Sequence, residues 1–215
     1  MTRKPPHAAL RILGRVSSIN VRKVLWTCDE LGLPFAREDF GLGFQSTQSP
    51  EFLALNPNAQ VPVLVDDGFV LWESNTICRY LAAREGRTDL LPADPRERGR
   101  VEQWMDWQAA DLNNAWRYAF MGLVRQSPAH ADAAAIEASV QAWNRQMRLL
   151  DAQLERTGAY VAGSTFTLAD INLGLCLHRW QMAPIERPAL PALAAYRERL
   201  GQRAGFLQHA AKETP

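Results

Sequence analysis

Between Asn56 and Asn75 the chain spells out one folding unit almost completely. The turn formers Asn56-Pro57-Asn58 lead into Val61-Pro62-Val63-Leu64, an apolar run opened by a proline. Proline cannot donate to a ladder, so a strand tolerates it at its start. Asp66-Asp67-Gly68 then separates Val61–Val65 from Phe69–Trp72, which is a hairpin signal. Glu73 and Ser74 follow, and Ser74 can cap a helix carrying Ile77, Tyr80 and Leu81. Such a unit presents a backbone edge and a helix N-terminus to one small ligand.

The segment before it reads as β-α-β. Leu10, Ile12 and Gly14 alternate as a first strand. Val21, Val24, Leu25, Cys28 and Leu31 recur at helical spacing, with Gly32 as C-cap and Pro34 as the stop. Phe35 to Phe40 returns as a second strand, parallel to the first because a helix connects them. A polar loop, Gly41 to Ser49, precedes a short helix over Pro50–Leu55. Residues 84–96, with Gly86, Pro92 and Pro95, carry linker signals. Helical patterns then cover Arg98–Val124, Ala131–Arg156, 168–182 and about 189–202. The expected organisation is an α/β domain over residues 8–86, a linker over 87–96, and an all-α domain over 97–215.

Composition removes several classes of function. A formal net charge of +1 gives no electrostatic basis for binding nucleic acid or an anionic membrane. No run approaches the roughly 20 apolar residues of a membrane span. Lys4-Pro5-Pro6-His7 reads as a loose leader without a signal-peptide core, so a cytoplasmic location is the expectation. Cys28, Cys78 and Cys176 are far apart, lie in helical patterns and form no C-x-x-C pair; they read as core residues. His7, His130, His178 and His209 have no metal-ligand spacing, and no metal is expected.

The Asn-Pro-Asn-x-x-Val-Pro-Val-Leu run followed by Glu-Ser resembles the glutathione-binding half of cytosolic glutathione S-transferases. The resemblance spans nearly the whole chain. It implies an α/β N-terminal thioredoxin-like domain plus an all-α C-terminal helical-bundle domain. It also implies a homodimer, and glutathione and a small electrophile as substrates. In that family the proline opening this strand is cis, which turns the N–H and C=O of Val61 toward the cysteinyl backbone of glutathione. Ser74 and its N–H would meet the γ-glutamyl carboxylate, and Glu73 the γ-glutamyl ammonium. Gln60 and, on a weaker loop alignment, Thr47 fall at glycyl-side positions.

Arg15 to Lys23 place Ser17, Ser18 and Asn20 between the first strand and first helix. No tyrosine precedes Tyr80, so the resemblance is to serine-using, theta-, zeta- or nu-like bacterial members. Theta-like members hold their serine four residues before an arginine, as Ser18 stands before Arg22. Zeta-like members have a double serine, but the cysteine that follows it there is Ile19 here. Other members use a threonine with an asparagine two residues on, matching Ser18 and Asn20. Ser17 is a rival to Ser18, and either hydroxyl, like Asn20, could simply cap the helix.

The energetics of thiolate activation are modest. Lowering a thiol from about 8.5 by two units takes about 2.7 kcal/mol. A hydrogen bond to a charged acceptor supplies about 1.5–3 kcal/mol, and a helix N-terminus about 0.3–2.

The electrophile is expected between the domains, with Trp107 and Asp111 as candidate contacts. Trp104, Trp107, Trp116 and Trp143 suit a core equally well, and Glu102 and Asp106 suit a dimer interface or a solvated face. Thr167 and Asp170 have capping-box spacing, flanked by Phe166 and Ile171 at staple positions, which argues for folding and not for catalysis. Two other readings share these residues. One is a glutathione-dependent isomerase or a disulfide or peroxide reductase; the other is a non-catalytic binding module on the same scaffold. An own-cysteine reductase would need a cysteine near the first helix start, and Cys28 lies about two turns in.

Overall fold

A computed structural model describes residues 10–211; the leader at residues 4–7 lies outside them. The chain divides into two compact units, the first ending at Thr88 and the second beginning at Asp89.

The first unit runs β1 (Leu10–Leu13), α1 (Ile19–Leu31), β2 (Phe35–Glu38), α2 (Pro50–Leu55), β3 (Val63–Asp66), β4 (Phe69–Trp72) and α3 (Ser74–Arg84). The sheet order is β2-β1-β3-β4, with β1 parallel to β2 and both other pairings antiparallel. This is the thioredoxin-like arrangement. Strand alternation sorts the two faces. Leu13 and Val63 cluster with Phe52 of α2, joined by Phe40, Val61 and Trp72. Ile12 and Leu64 point to the opposite face, and both are fully buried, as are Val21, Val24, Ile77 and Leu81 of α1 and α3. Gly32 ends α1 in the left-handed conformation at φ 65°, as its position after Leu31 foretells.

The second unit is helical: α4 (Pro95–Trp107), α5 (Asn113–Ala119), α6 (Ala133–Thr157), α7 (Leu168–Met182), α8 (Pro191–Leu200) and α9 (Ala204–His209). The helix expected over Arg98–Val124 instead changes winding twice, with π turns at Gln108–Leu112 and Phe120–Val124. Near the second, the Ser139 hydroxyl enters the backbone ladder. It accepts from Ala119 N–H at 3.1 Å and donates to Ala115 C=O at 2.7 Å. Such insertion opens a helix locally. The stretch read as linker is partly structural, because Leu90 and Leu91 are buried and α4 begins at Pro95.

Along α6, Val140, Trp143, Met147, Leu150 and Leu154 form the buried stripe. Every residue of α7 from Leu168 to Trp180 is buried, which makes it the central helix of this unit. Asp170 fixes the start of α7. Its fully buried carboxylate accepts from Thr167 N–H at 2.8 Å, the Thr167 hydroxyl at 3.0 Å, Val161 N–H at 3.0 Å and the Tyr196 hydroxyl at 2.8 Å. Burial still pushes this carboxyl above its ordinary range, against the pull of those four donors.

Candidate functional site

The site begins where β1 ends. Gly14 has φ 151°, and a Cβ there would stand 2.5 Å from Val21 Cγ2 and 3.0 Å from Val61 Cβ. Only a missing side chain lets β1, the first turn of α1 and Val61 come this close. The next residues turn sharply. Arg15 C=O accepts from Ser18 N–H at 3.1 Å, and Ser18 C=O accepts from Arg22 N–H at 3.0 Å. Ser18 is therefore the N-cap of α1, with φ −84° and ψ 123°, and its side chain makes no capping hydrogen bond. The sequence expectation of Asn20 as the cap is corrected: Asn20 is the second residue inside the helix, half-buried. Ser17 is exposed in the turn, whereas Ser18 is half-buried. The first turn of α1 carries no acid.

Helix α3 starts in a comparable way. Glu73 is its N-cap, and Ser74 is the first helical residue, which corrects the reading of Ser74 as the cap. The reason lies in the backbone: Glu73 takes φ 72° and ψ 108° as the chain leaves β4, and its C=O already accepts from Ile77 N–H at 2.9 Å. A non-glycine residue in this region costs about 1–3 kcal/mol, and such residues concentrate at ligand-binding positions. Glu73 is exposed and Ser74 buried, and the first turn of α3 has no acid.

Two buried bonds set α1 against α3. Lys23 Nζ donates to Asn75 Oδ1 at 3.1 Å, and one turn further on Thr27 Oγ1 donates to Cys78 Sγ at 3.2 Å. The helices therefore run parallel with both N-termini at one end. Their N-terminal N–H groups and positive dipole ends add there, which suits an anionic ligand.

The Val61–Pro62 peptide is cis. The ladder registers begin at Val63, paired with Leu13 on one side and Trp72 on the other, so Val61 lies beyond them. Asn56 builds the turn before it. This 2%-exposed side chain donates to Gln60 C=O at 2.8 Å and accepts from Asn58 N–H at 3.0 Å. Asn56, a turn former by sequence, is thus also a buried anchor, which its local pattern does not signal. The Gln60 side chain is exposed. Thr47 is half-buried in the loop after β2, its Cγ2 3.7 Å from where a Gly41 Cβ would sit.

Trp107 and Asp111 belong to the second unit. Trp107 is half-buried and meets Trp104 edge-on at 5.0 Å, while Asp111 is exposed within the first π turn. Glu102 is held in a part-buried i,i+4 pair with Arg98 at 3.1 Å. All three cysteines are buried thiols. Burial pushes Cys28 up to about 12 and Cys78 up to about 11, the opposite of what a nucleophilic thiolate needs. Among the described residues no group of three or more His, Cys, Asp or Glu side chains could hold a metal, and no helix is long and apolar enough to cross a membrane.

Known proteins resemble the chain over most of its length. Residues 8–83 match the family described as glutathione S-transferase, N-terminal domain, and residues 133–199 match glutathione S-transferase, C-terminal domain. The chain is 41% identical over 199 residues to glutathione S-transferase GstB of Escherichia coli K12, covering 84% of this chain and 95% of that one. It is 36% identical over 208 residues to glutathione S-transferase 3 of Zea mays, covering 93% and 92%. A crystal structure of the theta class glutathione S-transferase of Xanthomonas axonopodis pv. citri with glutathione bound superposes with a TM-score of 0.88. That pair shares 38% identity over 95% of this chain and 98% of the other. On its sequence, its fold and these relatives, the chain belongs to the glutathione S-transferase family of transferases.

Proposed function

We propose that the first unit binds glutathione across the paired N-termini of α1 and α3, and that the Ser18 hydroxyl donates to its sulfur and holds it as thiolate. The thiolate then attacks a small electrophile and conjugates it. The observation that carries this reading is the side chain of Ser18: it stands at the N-cap without capping the helix. A capping hydroxyl accepts from backbone N–H groups, whereas this one is left to donate. A donated bond to a charged sulfur, about 1.5–3 kcal/mol, plus the helix end, about 0.3–2, reaches the roughly 2.7 kcal/mol that a two-unit shift requires.

The other contacts follow from position. Ser74, with its N–H at the start of α3, takes the γ-glutamyl carboxylate, and Glu73 takes the ammonium. Val61, beyond the ladder ahead of Pro62, pairs its N–H and C=O with the cysteinyl backbone as an added strand would. Thr47 and Gln60 face the glycyl end. Asn20, in the first turn of α1, supports the turn that presents Ser18. Trp107 and Asp111 of the second unit are the candidate electrophile contacts, and the working form is a cytoplasmic homodimer. The protein adds no covalent chemistry of its own; it supplies and positions a nucleophile at neutral pH. Calorimetry with glutathione, followed by a conjugation assay on an aryl halide, tests the reading. Binding with turnover supports it; binding without turnover reduces it to a glutathione-holding module.

A further inference from the structure

The charge on glutathione is shared between two carboxylates at opposite ends of the tripeptide. In the site described above, the γ-glutamyl carboxylate has a helix N-terminus, but Thr47 and Gln60 offer the glycyl carboxylate only neutral groups. A nearby cation comes from the turn that carries Ser18. We propose that Arg15 is a specificity-determining residue that reads the glycyl carboxylate, an inference that rests on the glutathione reading of this site.

Three observations carry it. Arg15 is the first residue of the turn that sets Ser18, because its C=O accepts the Ser18 N–H, so its side chain leaves the backbone three residues from the proposed thiolate donor. Its guanidinium lies against the loop after β2: a Cβ on Gly41 would be 2.6 Å from Arg15 Nη1 and 3.8 Å from Cζ, with Thr47 Cγ2 at 3.7 Å from the same point. The cation and the proposed glycyl-side Thr47 thus both flank the same glycine. Arg37, the neighbouring arginine on β2, is committed elsewhere, since Nη1 donates to Gly14 C=O at 3.1 Å and also pairs with Asp39.

A guanidinium has five donors in a planar fork matched to a carboxylate. Arg15 can therefore keep a contact with the protein and still offer a bidentate pair to ligand. Gly41 acts as a positioning residue, since its φ of 82° and its missing Cβ keep the space the guanidinium occupies.

The test compares binding of glutathione with binding of its glycyl monoethyl ester, which lacks that charge and is otherwise the same peptide. The unmodified protein should prefer glutathione by about 10-fold or more, the scale of a charge-assisted hydrogen bond. Arg15→Gln should bind both ligands alike, at the affinity the unmodified protein has for the ester, and Arg15→Lys should restore part of the preference. Gly41→Ala should lose preference through displacement of the guanidinium. Ultraviolet titration of the bound thiol should be unchanged in Arg15→Gln, because the sulfur is held by Ser18. Equal weakening of both ligands in Arg15→Gln, or a preference that survives it, overturns the inference and leaves the glutathione reading standing. An unmodified protein that binds neither ligand overturns both.

Discussion

Two helix starts in this chain use hydroxyl residues to opposite ends. At α7 the threonine and its partner acid turn inward, and Asp170 gathers four donors from three segments. The helix's own first-turn donors are also taken within the protein, Leu168 N–H by Leu90 C=O at 3.1 Å and Asp170 N–H by Thr167 C=O at 3.0 Å. At α1 the cap is Ser18, whose side chain bonds to no helix N–H, and at α3 the cap Glu73 makes no capping bond either. Neither of these starts has an acid in its first turn. A saturated helix start holds a fold together. An unsaturated one keeps its donors and its dipole available to an anion. Residue type alone does not separate them; what separates them is whether an internal acceptor already occupies the donors.

The strongest way to break this contrast is at α7. Asp170→Ala leaves four buried donors without their acceptor and should lower stability by about 2–4 kcal/mol in urea unfolding. The folded fraction should bind glutathione with unchanged affinity. A smaller effect is expected at α3, where Ser74→Ala should weaken glutathione about 10-fold by removing one donor to a charged group. Since Ser74 is the first helical residue and not the cap, its stability cost should stay below about 0.5 kcal/mol, under the range for losing a true cap. Calorimetry and thermal unfolding on one preparation read both.

The Ser139 hydroxyl is a third case, spent on backbone groups of another helix. Ser139→Ala should cost about 1–2 kcal/mol, because Ala119 N–H and Ala115 C=O lose their shared partner. A neutral result would mean that the helix closes back into regular winding.

The protein's own thiols supply the smallest effect. An unfolded thiol ionises near 9, and the folded Cys28 near 12. Between those values the unfolded state releases the proton first, so stability contributed by the buried thiol is intact below about pH 9 and is lost as pH rises toward 12. Alkylation of native protein at pH 8 should accordingly be slow, and should rise only when urea opens the fold.

Much of this was legible in the sequence. Apolar spacing located α1, α6 and α7, and turn residues located the β3–β4 hairpin, because both signals are local. The box at Thr167 and Asp170 was legible for the same reason, as its two residues sit three apart. The expected site residues Ser18, Val61 and Ser74 come from motifs, but the packing of α1 against α3 rests on the Lys23–Asn75 and Thr27–Cys78 bonds across 52 and 51 residues, and the approach of Val61 to β1 rests on Gly14. No local pattern encodes those contacts. The caps were misplaced by one or two residues because capping depends on φ and ψ, and nothing in Glu73 announces a positive φ. The π turns were invisible for a similar reason: Ser139, the side chain that enters the ladder near the second of them, comes from another helix.

The most direct test of the central claim is ultraviolet titration of the glutathione thiol bound to the unmodified protein, to Ser17→Ala and to Ser18→Ala, with urea unfolding run beside it. The bound thiol should ionise about two units below its free value, a shift lost in Ser18→Ala and kept in Ser17→Ala, with Ser18→Ala costing under about 0.5 kcal/mol of stability. An unshifted thiol in the unmodified protein, or a Ser18→Ala variant that loses a full cap's stability while keeping the shift, would contradict that claim.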